Sequence, residues 1–189
     1  VFYTALYHCF IHPSTFSDTD NRYRASDTKT TTAKGYTHYN VFSLWDTYRA
    51  LHPLFTIVEQ ERTKDFIKTF LDDYLRTGRL PMWELNCMET NCMIGYHSVS
   101  VIADAMVKGL ITRDTLSLYQ AMRDASNYNR WGIQEFHKNS FLQVNDQGES
   151  VSKSLEYAYD DWCISLMAKA LKFSEQENYY KKGSMAYKY

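Results

Sequence analysis

Apolar positions recur at three- and four-residue spacing through most of the chain, the period of helices that bury one face. Residues 1–11 predict a short apolar helix that stops near Pro13. Residues 14–40 are rich in Ser, Thr and Asp and contain Gly35, which predicts a polar excursion with room for one small hairpin. A second helix is expected from Ser43 to about Ile57, kinked or broken before Pro53, because proline disfavours helical backbone in the residue ahead of it. A third is expected over 61–76, with Phe66, Ile67, Phe70, Leu71, Tyr74 and Leu75 on one face and Gly78 as its C-terminal cap.

Residues 79–92 read as a loop entered through Leu80-Pro81. A fourth helix is expected over about 95–108, burying Val99, Ile102, Ala103, Met106 and Val107, and a fifth over about 113–126. Residues 127–149 are polar and irregular. The sixth, 152–171, is expected to bury Leu155, Ala158, Tyr159, Trp162 and Leu166. A seventh opens at Ser174-Glu175-Gln176-Glu177, the Ser-x-x-Glu pattern of a capping box. Helices joined alternately by short and long connections predict an all-α fold, a bundle or an α/α toroid whose long loops carry function.

Composition narrows the function classes. Lys plus Arg number 21 and Asp plus Glu 22, a net charge of −1, which gives no electrostatic reason for a nucleic-acid or anionic-membrane partner. No apolar run is long enough to cross a bilayer, and no basic stretch followed by an apolar one marks a signal peptide. Cys9, Cys87, Cys92 and Cys163 form no C-x-x-C pair, so buried free thiols are expected rather than a zinc ribbon. The 16 Tyr, 10 Phe and 4 Trp are an excess that suits both packing and sugar platforms. Both ends read as cut through structured sequence, so the chain is expected to be an internal piece.

Three acid-plus-aromatic clusters stand at loop–helix junctions. In Leu80-Pro81-Met82-Trp83-Glu84-Leu85, Trp83 and Leu85 flank Glu84, and apolar neighbours raise a carboxyl pKa toward that of a general acid. An ordinary surface glutamate is the competing reading. Trp45-Asp46 sets a carboxylate beside an aromatic ring, which suits recognition of vicinal hydroxyls, although Ser43-x-x-Asp46 is also a helix-start pattern. Glu156 and Asp160 lie one helical turn apart; such a pair repels unless it holds a cation, shares a proton or faces solvent, and a solvated face offset by Lys153 and Lys169 is expected. His97 follows a polar loop and is a site candidate. His8 and His12 have zinc-helix spacing without the adjacent glutamate of His-Glu-x-x-His.

Six blocks in order, YTALYH (3–8), HPSTFSD (12–18), FSLWDTYRALHP (42–53), PMWEL (81–85), ETNCMIGYHSVSVIAD (89–104) and SVSKSLEYAYDDWC (150–163), resemble glycoside hydrolase family 92. The resemblance implies a calcium-dependent exo-α-mannosidase that hydrolyses with inversion. It implies an N-terminal β-sandwich packed on an (α/α) six-hairpin barrel, with residues 1–189 as the central part of that barrel. It implies Glu84 as general acid, and Trp45 and Asp46 as residues that help hold the terminal mannose; Trp83 and His97 are substrate-binding candidates from their places beside Glu84 and after the polar loop. Glu149 falls where family members carry a His-Glu pair that contacts the next sugar in α-1,2 substrates; Gly148 stands in place of the His. Cys87 and Met88 stand where smaller or more polar residues are expected.

Inversion needs a second carboxylate roughly 6.5–9.5 Å from the acid, and the family's Gly-Asn-Asp-Asp type motif does not occur in residues 1–189. The implied calcium would hold two sugar hydroxyls; its ligands are unassigned, with Glu156 and Glu89 as candidates. Expected partners are a mannose-containing oligosaccharide, the β-sandwich domain and the barrel remainder, and the expected location is extracellular, periplasmic or cell-surface. The competing functions are a non-catalytic mannoside-binding protein, a helical scaffold and a zinc hydrolase.

Overall fold

The computed structural model describes residues 1–188, which divide into two compact units, the first 1–93 and the second from 94 onward. The first unit runs α1 (Phe2–Cys9), β1 (Ser14–Thr15), β2 (Arg22–Arg24), β3 (Thr30–Thr32), β4 (Tyr39–Asn40), β5 (Phe42–Ser43), α2 (Leu44–Thr47), α3 (Leu51–Val58), α4 (Gln60–Thr77), β6 (Trp83–Leu85) and β7 (Met88–Glu89). The second runs α5 (Ser98–Val107), α6 (Thr115–Ser126), α7 (Ile133–Asn139), α8 (Ser150–Ala170), α9 (Ser174–Gly183) and a 3₁₀ turn at Ala186–Lys188.

In the first unit α4 is the organising element. Its buried face is Thr63, Phe66, Ile67, Thr69, Phe70 and Asp73, and Leu75, expected inside, is exposed. Phe42 meets Phe66 and Phe70 edge-on, with ring centroids 5.5 and 4.8 Å apart. Tyr39 meets Phe66 in the same way. Such edge-to-face pairs add to what burial alone contributes. Gly78 caps α4 in the left-handed region at φ +75°, donating its amide to the Tyr74 carbonyl, as its position in the sequence predicts. The break near Pro53 is also found, at residues 48–50, and Pro53 sits in the first turn of α3, where no intrahelical N–H partner is required.

The all-α expectation needs correction, because this unit carries three small antiparallel sheets. β2 and β3 form the hairpin anticipated within 14–40. The stretch 79–92, expected to be a loop, instead contributes β6 and β7 to the sheet β5–β6–β7. Strands of two or three residues are too short for an alternating pattern to register.

In the second unit α5, α6, α7 and α9 pack around α8. The buried side of α8 includes Tyr157, Ala158, Asp160, Asp161, Ile164 and Met167, whereas Leu155, Tyr159 and Trp162 are exposed. The predicted core face of this helix is therefore wrong for three of its residues, because two acids take interior positions. On α5, Val107 is exposed and Met106 half-buried, while Val99, Ile102 and Ala103 are buried as predicted. α7 lies inside the stretch expected to be irregular. Ser174 is the first residue of α9 rather than its cap, which is Phe173, so the capping box does not form. Cys87 and Cys163 are buried free thiols, but Cys9 is half-buried and Cys92 exposed.

Candidate functional site

Glu84 sits on β6 opposite Phe42 of β5, and only 4% of it is exposed. Its Oε2 accepts a hydrogen bond from the Val41 amide at 3.0 Å, and its Oε1 accepts one from the Cys87 amide. Burial raises its pKa from 4.5 to about 7; the two amides pull it down, and nearby Glu89 adds a smaller upward push. Glu84 thus has the proton affinity expected of a general acid. Its geometry asks for more, since an acid must present an oxygen to the departing glycosidic oxygen and each oxygen here faces a backbone amide.

Glu84 borders a cavity of about 310 Å³ that Asp73, Arg79, Leu80, Cys87 and Glu89 also line, and no aromatic side chain lines it. Asp73 is buried beside Glu84, and burial followed by repulsion from Glu84 raises its pKa to about 8. Glu89 accepts the amides of Met82 at 2.6 Å, Trp83 at 3.2 Å and Asn91 at 2.8 Å, so it braces the strand that carries Trp83 and Glu84.

Trp45 and Asp46 lie in the first turn of α2, Trp45 half-buried and Asp46 exposed. The Arg49 guanidinium stands 5.5 Å from the centre of the Trp45 ring. Ser43, the N-cap of α2, makes no side-chain cap bond. Ser43 pairs with Trp83 across β5–β6, and the Leu44 amide donates to the Met82 carbonyl at 3.3 Å. The structure therefore ties the Trp45–Asp46 turn directly to the strand of Trp83 and Glu84. Trp83 itself is half-buried.

The other two candidates lie in the second unit. His97 is enclosed, 1% exposed, with Nδ1 3.0 Å from Asp160 Oδ1 and Nε2 3.2 Å from Glu156 Oε2, the latter an ion-pair approach rather than a well-angled hydrogen bond. The other Asp160 oxygen accepts the Tyr96 amide at 3.0 Å. Burial works against a charged imidazole here, but the two carboxyl groups together overcome it and raise its pKa to about 9. The solvated face expected for Glu156 and Asp160 is thus a correction: Asp160 is fully buried, and the pair holds a cation supplied by His97, whose ring nitrogens face carboxyl groups rather than open space. Nothing in the sequence joins positions 97 and 160. Beside this cluster, Asp161 is enclosed without a hydrogen-bond partner, and burial raises its pKa well above the usual range.

Glu149 caps α8 in the left-handed region at φ +54° and pairs with Lys153 at 3.3 Å, its own side chain mostly exposed. The Lys153 ammonium also donates to Gln147 and to the Gly148 carbonyl, so this lysine is buried in the α8 entry loop rather than offsetting Asp160 at the surface.

The calcium candidates do not fit. Glu89 is committed to three amides and Glu156 faces His97, and among the described residues no group of three or more His, Cys, Asp or Glu side chains converges. No described helix is long and apolar enough to cross a membrane.

Comparison with known proteins places these features in a family. A family 92 α-mannosidase of Bacteroides thetaiotaomicron, solved in complex with mannoimidazole, is 42% identical over 99% of this chain and superposes with a TM-score of 0.96. A family 92 inverting mannosidase of the same organism is 28% identical over 99% of the chain, with a TM-score of 0.92. An uncharacterised secreted glycosidase of Arthroderma benhamiae is 27% identical over 135 residues, 62% of the chain. The chain spans 25% and 27% of the two solved enzymes and 17% of the fungal protein. Its helix-rich architecture is that of the solved mannosidases. With the model of the glycosyl hydrolase family 92 catalytic domain matching residues 1–189, the chain belongs to that family.

Proposed function

We propose that the protein containing this chain is a calcium-dependent exo-α-mannosidase that removes terminal α-linked mannose by single displacement, inverting the anomeric centre. The observation that carries this is the 42% identity over 99% of the chain to an α-mannosidase solved with mannoimidazole. In this reading residues 1–189 form the central part of an (α/α) six-hairpin barrel, alongside an N-terminal β-sandwich and a barrel remainder. The enzyme acts at the cell surface, in the periplasm or outside the cell, which the likeness to a secreted glycosidase supports.

Trp45 and Asp46 are the residues of this chain best placed to hold the terminal mannose: an accessible carboxylate accepts from two adjacent hydroxyls while the neighbouring ring covers an apolar C–H face. Glu149, exposed at the start of α8, is the candidate contact for the following sugar, with α-1,2 preference weakened by Gly148. The base lies outside residues 1–189. The general acid that the resemblance calls for protonates the departing oxygen as the bond breaks; Glu84 has a pKa raised to about 7, suited to that role, but both of its oxygens accept backbone amides. The test of the proposal is the anomer first formed by the full-length protein from an α-mannobioside, followed by proton NMR. β-Mannose appearing ahead of mutarotation supports single displacement, and α-mannose appearing first contradicts it.

A further inference from the structure

Three residues around Glu84 hold backbone that L-amino acids rarely adopt. Val41, Asn86 and Cys87 have φ of +68°, +53° and +60°. For a β-branched valine this is a genuine outlier, and such residues persist only where their surroundings over-determine them. Val41 is the single residue between β4, which pairs with β1, and β5, which pairs with β6. Its left-handed conformation redirects the chain from one sheet into the other. Four residues later the chain reaches Trp45.

Glu84 holds both ends of this arrangement. One oxygen accepts the amide of strained Val41; the other accepts the amide of strained Cys87 in the two-residue turn between β6 and β7. Asn40, next to Val41, reinforces the link by accepting the Asn86 amide at 3.0 Å through its side chain. The cavity that Glu84 borders is lined by none of Trp45, Asp46 or Trp83. A carboxyl spent on two strained amides, and bordering a space without a sugar platform, is arranged to fix backbone.

We infer that Glu84 is a positioning residue, setting the direction of the Trp45–Asp46 segment through Val41, rather than the proton donor. The inference rests on the proposal that Trp45 and Asp46 hold the terminal mannose. A glutamine at position 84 keeps the shape but turns an NH₂ group toward one of the two amide donors, so one clamp is lost. Glycine at position 41 adopts φ +68° without a Cβ penalty and needs no clamp there.

The experiment uses the full-length protein with Glu84→Gln, Val41→Gly and the double variant, on an α-mannobioside and on dinitrophenyl α-mannoside. Glu84→Gln should raise KM about tenfold, the scale of one released backbone strain. The loss should be equal on the two substrates, and adding Val41→Gly should recover most of it. A fall in kcat on the mannobioside with the dinitrophenyl substrate spared would overturn the inference and restore Glu84 as the acid. An unchanged KM, or no recovery in the double variant, would also overturn it. If Glu84→Gln does not fold, Glu84→Asp, which is too short to reach both amides, is read in the same way. If the unmutated protein releases no mannose, the proposed function fails, and amide hydrogen exchange over residues 41–46 still decides the positioning role. That exchange should quicken in the Glu84 variant; unchanged exchange would overturn it.

Discussion

Glu84 in the first unit and His97 in the second are both enclosed ionisable groups, yet burial prevails at the first and is overcome at the second. Glu84 has only neutral backbone amides to receive its charge, and burial outweighs them, so its pKa climbs from 4.5 to about 7. His97 has Asp160 and Glu156 against its ring, and these outweigh burial, so its pKa climbs from 6.5 to about 9. Dipoles arranged around a buried acid do not replace a counter-ion, whereas two acids around a buried base do. The first region therefore encloses an acid that titrates close to neutrality while its oxygens hold backbone amides, and the second an imidazolium that anchors α8 to the start of α5.

The largest test of this contrast is Asp160→Asn. It leaves a buried imidazolium with only Glu156 and puts an amide where the Tyr96 N–H and His97 both need an acceptor. Breaking a buried pair costs about 3–5 kcal/mol, so the denaturant midpoint should fall steeply, and unfolding curves of the protein with and without the substitution check it. An effect under about 1 kcal/mol, the range of exposed ion pairs, would mean that the cluster is not the anchor described.

A smaller effect, and one that sharpens the comparison, is the pH dependence. Both pKa values are raised, so in both units the stabilisation is complete below the unfolded value and is lost as pH rises through the folded one. For Glu84 and Asp73 the loss runs from about 4 to their folded values of about 7 and 8. For His97 it runs from 6.5 to about 9. Unfolding measured between pH 4 and 10 should show two windows, the lower flattened by Glu84→Gln and the upper by Asp160→Asn. The smallest expected effect is that of Glu149→Gln. Its pair with Lys153 has an exposed carboxylate, so the change should stay within about 0.5 kcal/mol in the same unfolding assay.

Much of the helical frame was legible because long amphipathic segments carry their own signal. α4 and its Gly78 cap follow from period and from the conformational freedom of glycine. The face of α8 did not follow, since hydropathy assigns Asp160 and Asp161 to the outside and Tyr159 and Trp162 to the inside, and the fold reverses both. The reversal depends on a histidine 63 positions away from Asp160 and on nothing local. Among the site residues, Glu84 stood out by its apolar neighbours; its burial is found, but Leu85 is exposed and Trp83 only half-buried, since neighbours on a strand face opposite sides. Val41 was invisible, because no sequence pattern announces a valine at positive φ, and with it went the link between Glu84 and Trp45.

The most direct test of the functional account is mannose release from an α-mannobioside by the full-length protein, before and after treatment with a calcium chelator. The account predicts release that stops on chelation and returns when calcium is restored. No release from the folded protein with calcium present would contradict it.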